Sequence, residues 1–443
     1  MLSENSTNIY KRLYSEANID KILSDASFVK KILLFETMLA KANYEAKVIP
    51  YNAYCNIKKV ISSSKFNTNI LQDNIEFSGI ITLNILNEIK KKLNKNYIPY
   101  LHYGVSSQDA IDTAIILQIK ETRKLFTHNL RKASYNLFNL AMKHKHTYTL
   151  GRTRNKIATL TTFGFKAYSW LLPMLRHVDR LNKVYENDLL IIQLGGTVGN
   201  LALLNSKGNF VKKRVSKLLG LGFDDGNWQN QRDRIVEFCN TLSMITGSIG
   251  KIAKDILVLS QDEISEISFK TLGASSSMPH KRNPIIAELL ISLAKLNSSH
   301  LLAMHDSLMH KNERDGISWM VEWKALNSML RLTSASLNHF NKCLSSLIVN
   351  KDTMKKNIDN TYGVIFSDYF FQKLLQSYSY NKLKKIFPNL INKALKEKKY
   401  LLDIINIHLG ENLNINKNKM LSNCIGLNNN LIKKIERKLK NSF

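Results

Sequence analysis

The sequence contains few of the residues that break, cross-link or anchor a polypeptide chain. Proline occurs 6 times among 443 residues, and the 4 cysteines lie far apart with no Cys-x-x-Cys spacing. Such cysteines form neither a disulfide framework nor a metal site, and they are typical of a reducing compartment. No apolar run approaches the roughly 18–20 uncharged residues that cross a bilayer, and the polar start of the chain is unlike a secretory signal. We therefore expect a cytoplasmic protein without membrane, metal or cofactor.

Acidic residues are scarce relative to basic ones. There are 35 Asp and Glu against 64 Lys and Arg, which gives a net charge of +29. A field of this sign attracts polyanions. The lysines, however, are spread along the whole chain and lack the clustering and the interleaved aromatic side chains of a nucleic-acid groove. We therefore expect no nucleic-acid partner, and the charge favours a small polyanionic substrate.

Apolar residues in the middle of the chain follow the period of a long helix. They recur at alternating three- and four-residue steps at Ile235, Phe238, Leu242, Ile245, Ile249, Ile252, Ile256 and Leu259. This heptad seam predicts a helix of bundle length. Gly247 and Gly250 within it would weaken the helix but would let a neighbouring backbone approach closely.

Further long helices are predicted by helical periodicity. They fall at about 110–145, 156–190, 285–307 and 321–347. A last amphipathic helix is marked by Ile432, Ile435 and Leu439. The four long segments and the seam helix together predict a central bundle of five long helices.

The composition also suggests where domains begin and end. Shorter amphipathic stretches precede the bundle, and the chain turns rich in Lys and Asn after about residue 348. We expect an all-α protein with an N-terminal helical domain at 1–109, a long-helix bundle at 110–347 and a C-terminal helical domain at 348–443. A loop at 271–284 interrupts the bundle region.

The most informative segment is the loop at residues 275–284, which reads S-S-S-M-P-H-K-R-N-P. It gathers hydroxyls, cations and an amide between chain breakers, since Gly273 precedes it and two of the six prolines lie inside it. A solvated surface turn is the plain alternative. The run resembles the signature S-S-x-M-P-x-K-x-N of the fumarase/aspartase superfamily, which includes adenylosuccinate lyases and 3-carboxy-cis,cis-muconate cycloisomerases.

The resemblance extends over essentially the full length, and it implies a fold, an assembly and a chemistry. Members form homotetramers around a twenty-helix core, and each active site is assembled from three subunits. A loop serine takes or gives the proton on the carbon next to a carboxylate, which here implies Ser275. Lys281 and Asn283 would hold a carboxylate of the substrate.

The segment His102-Tyr103-Gly104-Val105-Ser106-Ser107-Gln108-Asp109 precedes a predicted helix. Hydroxyls and free amides at a helix start can bind a carboxylate, although plain capping by Ser106 or Ser107 is the alternative. The segment resembles the first signature block of the superfamily, in which these hydroxyls bind substrate. Its Ser-Gln-Asp sequence is closer to that of the cycloisomerases than to that of the adenylosuccinate lyases.

The segment at residues 151–164 begins G-R-T-R-N-K. Adenylosuccinate lyases have G-R-T-H at this place, and that histidine is a catalytic acid or base. Arg154 stands here instead, and a guanidinium exchanges no proton near neutral pH. Thr153 and Arg154 are therefore expected to bind substrate. The second catalytic histidine of those lyases has no counterpart near residues 76–80, and the cycloisomerases lack both histidines.

Two later segments resemble the cycloisomerases. The run Q-L-G-G-T-V-G-N contains Thr197, and Q-R-D-R-I-V-E-F contains Gln231 and Arg234; we expect these three residues to contact substrate. A glycine-rich turn between helices is an equal alternative for the first run. At the end of a further segment, residues 312–323, Glu322-Trp323 follows the cycloisomerase pattern, whereas adenylosuccinate lyases carry a phosphate-binding arginine in place of the indole.

These features favour a 3-carboxy-cis,cis-muconate cycloisomerase-like enzyme acting on a polycarboxylate. Lactonisation uses a carboxylate nucleophile that is already ionised at neutral pH, so only one proton must reach carbon. One alternative is an adenylosuccinate lyase that releases fumarate, with His280 or His102 as a relocated acid. A second alternative is a catalytically idle structural homotetramer.

Overall fold

The structure is a computed structural model that describes residues 9–67, 71–73, 75–270, 273–274, 277–410, 413 and 415–440. Helices dominate it. In chain order the described α-helices are α1 (Lys11–Tyr14), α2 (Ala17–Ile22), α3 (Asp25–Glu45), α4 (Tyr51–Ser63), α5 (Ile75–Ser78), α6 (Ile81–Lys92), α7 (Ser107–Lys143), α8 (Phe163–Glu186), α9 (Gly208–Leu219), α10 (Asp233–Leu259), α11 (Ile285–Asp306), α12 (Gly316–Ser346), α13 (Lys351–Asp359), α14 (Ser367–Leu374), α15 (Tyr380–Glu397), α16 (Leu401–Leu409), α17 (Lys417–Ile425) and α18 (Asn428–Lys440). Short 3₁₀ helices lie at Lys95–Tyr100, Asn205–Lys207 and Val364–Phe366.

The strands are short and pair antiparallel in twos. They are β1 (Tyr148–Thr153), β2 (Lys156–Thr162), β3 (Ile267–Phe269), β4 (Gly273–Ala274), β5 (Arg282–Asn283) and β6 (Leu347–Val349). The pairs are β1 with β2, β3 with β6, and β4 with β5. The expected all-α class with five long helices is confirmed, the long helices being α7, α8, α10, α11 and α12.

The heptad seam of α10 faces the core as predicted. All eight seam residues from Ile235 to Leu259 are at most 4% exposed. The expectation for the glycines is met at one of two positions. A Cβ at Gly250 would lie 2.7 Å from the Cβ of Ala294, so only glycine permits this helix contact, whereas Gly247 faces open space.

The predicted helix at 156–190 begins seven residues too early. Residues Lys156–Thr162 form β2, and α8 begins at Phe163. A two-residue turn joins β1 to β2, with Arg154 at φ 48° and Asn155 at φ 63°. Positive φ at both central positions is the type I′ geometry that suits a hairpin. The β-branched residues of 157–162 then pair as a strand, because pairing with β1 outweighs weak helix propensity.

The chain divides into two compact units, each made of discontinuous stretches. The first unit comprises Met1–Leu130, Arg176–Gly250 and Leu289–His339, and the second comprises Arg131–Leu175, Lys251–Glu288 and Phe340–Phe443. All boundaries fall inside long helices. The three-domain division at residues 109 and 347 stays a prediction.

Each unit has its own packing. In the first, α3 packs against both α4 and α9, and Ser24 caps α3 by accepting from the Ser27 amide at 3.2 Å. In the second, the hairpin contributes Leu150 and Leu160 to a hydrophobic core built largely from the C-terminal helices. That core also includes Phe366, Phe370, Leu374, Leu383, Phe387, Leu390, Leu401, Ile404 and Ile405.

One described helix is long and apolar enough to cross a membrane by length and composition alone. It is α11, Ile285–Asp306, and 22% of its most apolar window is buried. Core helices of non-membrane proteins meet the same criterion, and this helix carries Glu288 and Lys295. The finding by itself therefore assigns no membrane role.

Candidate active site

Ser106 closes the turn that starts α7. Its Oγ accepts from the Asp109 amide at 3.4 Å, and its own amide donates to Asp109 Oδ2 at 2.7 Å. This reciprocal arrangement is a capping box. Ser106 also donates its hydroxyl proton to the same carboxylate at 3.0 Å. The Ser106 side chain is thus engaged in capping, which was the plain alternative for this segment.

Ser107 differs from its neighbour. It is the first residue of α7 and is partly exposed. The described part of the chain offers its hydroxyl no hydrogen-bond partner. It therefore combines a free hydroxyl with the free amides and positive dipole end of a 37-residue helix. These are the properties a carboxylate-binding position needs, and the assignment of Ser106 and Ser107 to substrate stays a prediction.

Asp109 is fully buried and connects two of the predicted site segments. Its Oδ1 accepts from Gln193 Nε2 at 3.1 Å and from the Gly195 amide at 2.8 Å. Its Oδ2 accepts from the Gly196 amide at 3.0 Å, in addition to the Ser106 contacts. Burial raises the pKa of Asp109, although the donors around it oppose the shift. The carboxylate holds the Ser106 turn beside the glycine-rich segment.

The glycine-rich segment presents Thr197 to solvent beside this turn. Gly196 has φ 72°, a backbone conformation that side chains other than glycine rarely adopt. Arg314 Nη2 donates to the carbonyls of Gly196 and Thr197 at 3.1 and 3.0 Å. Arg314 was not among the predicted site residues. It orients the backbone that carries Thr197.

Gln231 and Arg234 flank a residue with a different role. Gln231 is exposed. Arg234 has a side chain 16% exposed and donates from Nη2 to Asp224 at 3.2 Å, while its Nε and Nη1 are buried and have no hydrogen-bond partner among the described residues. Arg232, between them, is fully buried and points into the unit. Substrate contact by Gln231 and Arg234 stays a prediction.

Arg232 forms a buried charge cluster with two carboxylates. It donates to Asp112 at 2.8 and 3.1 Å and to Glu322 at 2.7 and 2.5 Å. Trp319 Nε1 also donates to Asp112, at 2.9 Å, and Trp228 lies under the guanidinium at 4.7 Å. Burial raises the pKa of Glu322, against the opposing effect of Arg232. Glu322, noted in the sequence as part of Glu322-Trp323, therefore has a structural partner.

His102, a candidate acid, lies in a buried ion pair. Its Nδ1 is 2.7 Å from Glu36 Oε1, and the two side chains are 15% and 0% exposed. Burial lowers the pKa of His102, but the charge and hydrogen bond of Glu36 outweigh it, so the pKa is raised. His102 has φ 58°. Its protonated form therefore persists to higher pH than that of an ordinary histidine, and its role as an acid stays a prediction.

The hairpin of the second unit presents Thr153 and Arg154 at its exposed tip. No acidic partner for Arg154 occurs among residues that the structure describes. Arg152, two residues earlier, is by contrast paired with buried Glu266 at 2.8 and 3.1 Å. Of the two arginines in G-R-T-R, one stabilises the unit and the other is available to an anion.

The signature loop is described only in part. Ser275 lies outside the described residues. Asn283 pairs with Gly273 in the β4–β5 ladder, and the Lys281 amide donates to the Met278 carbonyl at 3.0 Å. The side chains of His280 and Lys281 are exposed. The ladder gives the loop a fixed base, with the Lys281 cation turned to solvent.

The structure thus gathers the predicted residues in two sets. The first unit brings Ser106, Ser107 and Thr197 together through Asp109 and carries Gln231, Arg234 and His102; the second carries Thr153, Arg154, His280, Lys281 and Asn283. Among the described residues, no group of three or more His, Cys, Asp or Glu side chains could hold a metal ion.

Residues 6–295 match the profile of a protein family described as a lyase. A 3-carboxy-cis,cis-muconate cycloisomerase from Acinetobacter baylyi is 30% identical over 407 residues, which cover 90% of this chain and 90% of that protein. An N-acetyl-S-(2-succino)cysteine lyase from Dickeya dadantii is 34% identical over 338 residues, which cover 75% of this chain and 74% of that protein.

Similarity to solved structures extends over almost the whole chain. The crystal structure of beta-carboxy-cis,cis-muconate cycloisomerase from Acinetobacter calcoaceticus matches with a TM-score of 0.90 at 26% identity. The match covers 97% of this chain and 100% of that one.

Proposed function

Because the chain belongs to this lyase family of the fumarase/aspartase superfamily, we propose that it is a 3-carboxy-cis,cis-muconate cycloisomerase-like enzyme acting on a polycarboxylate. Membership makes it a lyase or cycloisomerase; the substrate and the direction of reaction are the proposal. The observation that carries it is Arg154. This cation is exposed and without an acidic partner in the described structure, at the position where adenylosuccinate lyases have a catalytic histidine.

The proposed chemistry asks little of the protein. In ring closure, one carboxylate of the substrate attacks its own carbon chain and a single proton is delivered to the neighbouring carbon. Ser275 exchanges that proton, and Lys281 and Asn283 bind the carboxylate beside it. Arg154, Thr153 and Ser107 bind the other carboxylates, which fixes the reacting atoms and offsets their charge. Ser106, Thr197, Gln231 and Arg234 complete the set of proposed donors.

Release of a nitrogen or sulfur leaving group from a succinyl unit is the competing chemistry. It needs an acid for the departing atom, and the candidates are His102 and His280. The raised pKa of His102 favours such an acid. Trp323 disfavours adenylosuccinate, because an indole cannot replace a phosphate-binding arginine. The relative at 34% identity makes N-acetyl-S-(2-succino)cysteine a second candidate substrate.

One assay panel tests the proposal. Purified full-length protein is given 3-carboxy-cis,cis-muconate, N-acetyl-S-(2-succino)cysteine and adenylosuccinate in separate reactions, each followed by ultraviolet absorbance. Loss of the muconate diene absorbance at the highest kcat/KM supports the proposal. Turnover of either succinyl compound alone contradicts it. Absence of turnover with all three substrates also contradicts the proposal and favours a catalytically idle structural homotetramer.

We also propose that the protein is a homotetramer whose sites combine residues of three subunits. Apolar side chains on the long helices support this proposal, because they are exposed in the single chain and would be buried against another subunit. Leu302 of α11 is 67% exposed and Ile317 of α12 is 74% exposed. Light scattering is expected to give about four times 50.8 kDa. Mixed tetramers of Ser275→Ala and Arg154→Ala subunits are expected to regain activity that neither variant has alone. A monomer, or no recovery on mixing, contradicts shared sites.

A further inference from the structure

The outer half of the β1–β2 hairpin is held by few side chains. Residues 153–159 are exposed, and no hydrogen bond or ion pair joins their side chains to the rest of the described chain. The inner half is buried, with Leu150 and Leu160 at 1% and 2% exposure. Arg152 lies between the two halves, so the place of the tip, which carries Arg154, depends on what Arg152 binds.

Arg152 binds a carboxylate that is itself held by other residues. Its guanidinium donates to both oxygens of Glu266 at 2.8 and 3.1 Å, and the two side chains are 16% and 0% exposed. Thr149 Oγ1 donates to Glu266 Oε2 at 2.9 Å, and Asn357 Nδ2 donates to Oε1 at 3.3 Å. Two parallel bonds from a guanidinium to a carboxylate fix direction as well as distance.

The backbone of Glu266 is anchored on both of its polar groups. Its amide donates to the carbonyl of Leu259, the last residue of α10, at 3.0 Å. Its carbonyl accepts from the Asn350 amide at 3.0 Å. The next three residues form β3, which pairs with β6. Glu266 is therefore a fixed point of the second unit to which the hairpin is attached.

The hairpin is irregular where it meets this anchor. The pairing register of β1 and β2 shifts between Leu150 and Arg152. In a regular strand Thr149 and Arg152 would point to opposite faces, because they are three residues apart, yet both bind Glu266. A bulge adds local twist and redirects side chains. Gly151 lies at the shift, where a Cβ would be 2.9 Å from a carbonyl oxygen of β2.

We propose that Glu266 is a positioning residue for the reaction. By binding Arg152 with both oxygens it sets the place of the hairpin tip, and so of the Arg154 guanidinium that binds a substrate carboxylate. Glu266 is fully buried and acts through Arg152, not by contact with substrate. The effect on turnover rests on the proposed function, whereas the effect on the hairpin is measured without substrate.

Hydrogen–deuterium exchange of the full-length protein tests the attachment of the hairpin. Glu266→Gln and Arg152→Met remove the two partners in turn, and each should raise exchange about tenfold in peptides covering 151–159, because local opening becomes easier. Glu45→Gln is the matched control. It breaks the ion pair with Arg214 in the first unit and should leave exchange in the hairpin unchanged. Hairpin exchange at the wild-type rate in both folded variants overturns the proposal.

A double-mutant cycle with Arg154 separates positioning from general stability. Activity is measured on whichever of the three substrates the wild type turns over. Glu266→Gln should lower kcat/KM about tenfold in the wild type, since misplacing a binding group by about 1 Å is costly. In the Arg154→Met background the same change should lower kcat/KM about twofold at most, because the group being positioned is already gone. The fall in thermal midpoint should be equal in the two backgrounds.

Each contrary result is decisive. An equal loss of kcat/KM in both backgrounds shows that Glu266 only supports the fold, and it overturns the positioning role. Unchanged kcat/KM in a variant with faster hairpin exchange overturns that role as well. Absence of turnover by the wild type contradicts the proposed function alone, and the exchange measurement then supports or overturns the attachment by itself.

Discussion

Arg232 and Arg154 show two uses of one side chain in two regions of the molecule. Arg232 is fully buried in the first unit and is satisfied by two carboxylates, Asp112 and Glu322. Arg154 is at the exposed tip of a hairpin in the second unit, with no acidic partner in the described structure. A guanidinium saturated by the protein stabilises the fold, whereas one left unsaturated is available to a substrate anion. Stability and activity should therefore separate cleanly between the two positions.

The largest expected effect breaks the buried side of this comparison. Arg232→Met leaves Asp112 and Glu322 buried without a cation, and removing one partner of a buried pair costs about 3–5 kcal/mol. Urea unfolding followed by circular dichroism measures the free energy of unfolding. The triple variant that also carries Asp112→Asn and Glu322→Gln should lose less. A loss below about 1 kcal/mol in the single variant would show that the cluster is not needed.

The exposed side of the comparison is expected to respond in activity and not in stability. Arg154→Met removes a cation that binds a substrate carboxylate, so kcat/KM should fall about a hundredfold, equivalent to roughly 2.7 kcal/mol. Its free energy of unfolding should stay within about 0.5 kcal/mol of the wild type. Arg154→Lys keeps the charge and should recover part of the rate. Full activity in Arg154→Met contradicts the assignment.

A smaller effect is expected at Asp109, which joins the two turns of the first unit. Asp109→Asn places an amide group where Asp109 now accepts from the Ser106, Gly195 and Gly196 amides. At least one donor is left unsatisfied, which costs roughly 2 kcal/mol. Chemical denaturation measures the loss, with Asp233→Asn as a matched control, because Asp233 is exposed. Equal stability of the two variants would contradict the role of Asp109.

The smallest expected effect concerns a buried charge that can be switched. The folded pKa of His102 is raised by Glu36, so the ion pair stabilises the protein fully below the ordinary histidine pKa of about 6.5. This contribution is lost as the pH rises through the folded pKa. Wild type should therefore lose more stability than His102→Gln between pH 6 and pH 9. Parallel pH profiles would show that the pair contributes nothing.

Local periodicity predicted the long helices well because burial of one face leaves a repeating pattern. The eight seam residues of α10 are buried as expected, and a helix begins at Ser107, directly after the Ser106 turn. The hairpin at 148–162 was missed. Its turn is Arg-Asn and not the common Asn-Gly, so residues 154–155 carry no hairpin signal, and Lys156–Thr162 was included in the following helix.

Contacts between distant residues could not be predicted in the same way. Nothing in the run Q-R-D-R shows that Arg232 turns inward while Arg234 remains partly exposed, because the partners Asp112 and Glu322 are 120 and 90 residues away. A charged residue within the apolar stretch around Asp112 was the available signal. The five donors on Asp109 are equally long-range, except for those of Ser106.

The backbone at residue 154 has a consequence for how such enzymes change their chemistry. A φ of 48° is tolerated by few side chains, but histidine is among those enriched there. Exchange between guanidinium and imidazole at the hairpin tip therefore requires no rebuilding of the turn. A single substitution can therefore replace an anion-binding group with a proton carrier while the turn keeps its conformation. Specificity at this position can change during evolution without a variant that fails to fold.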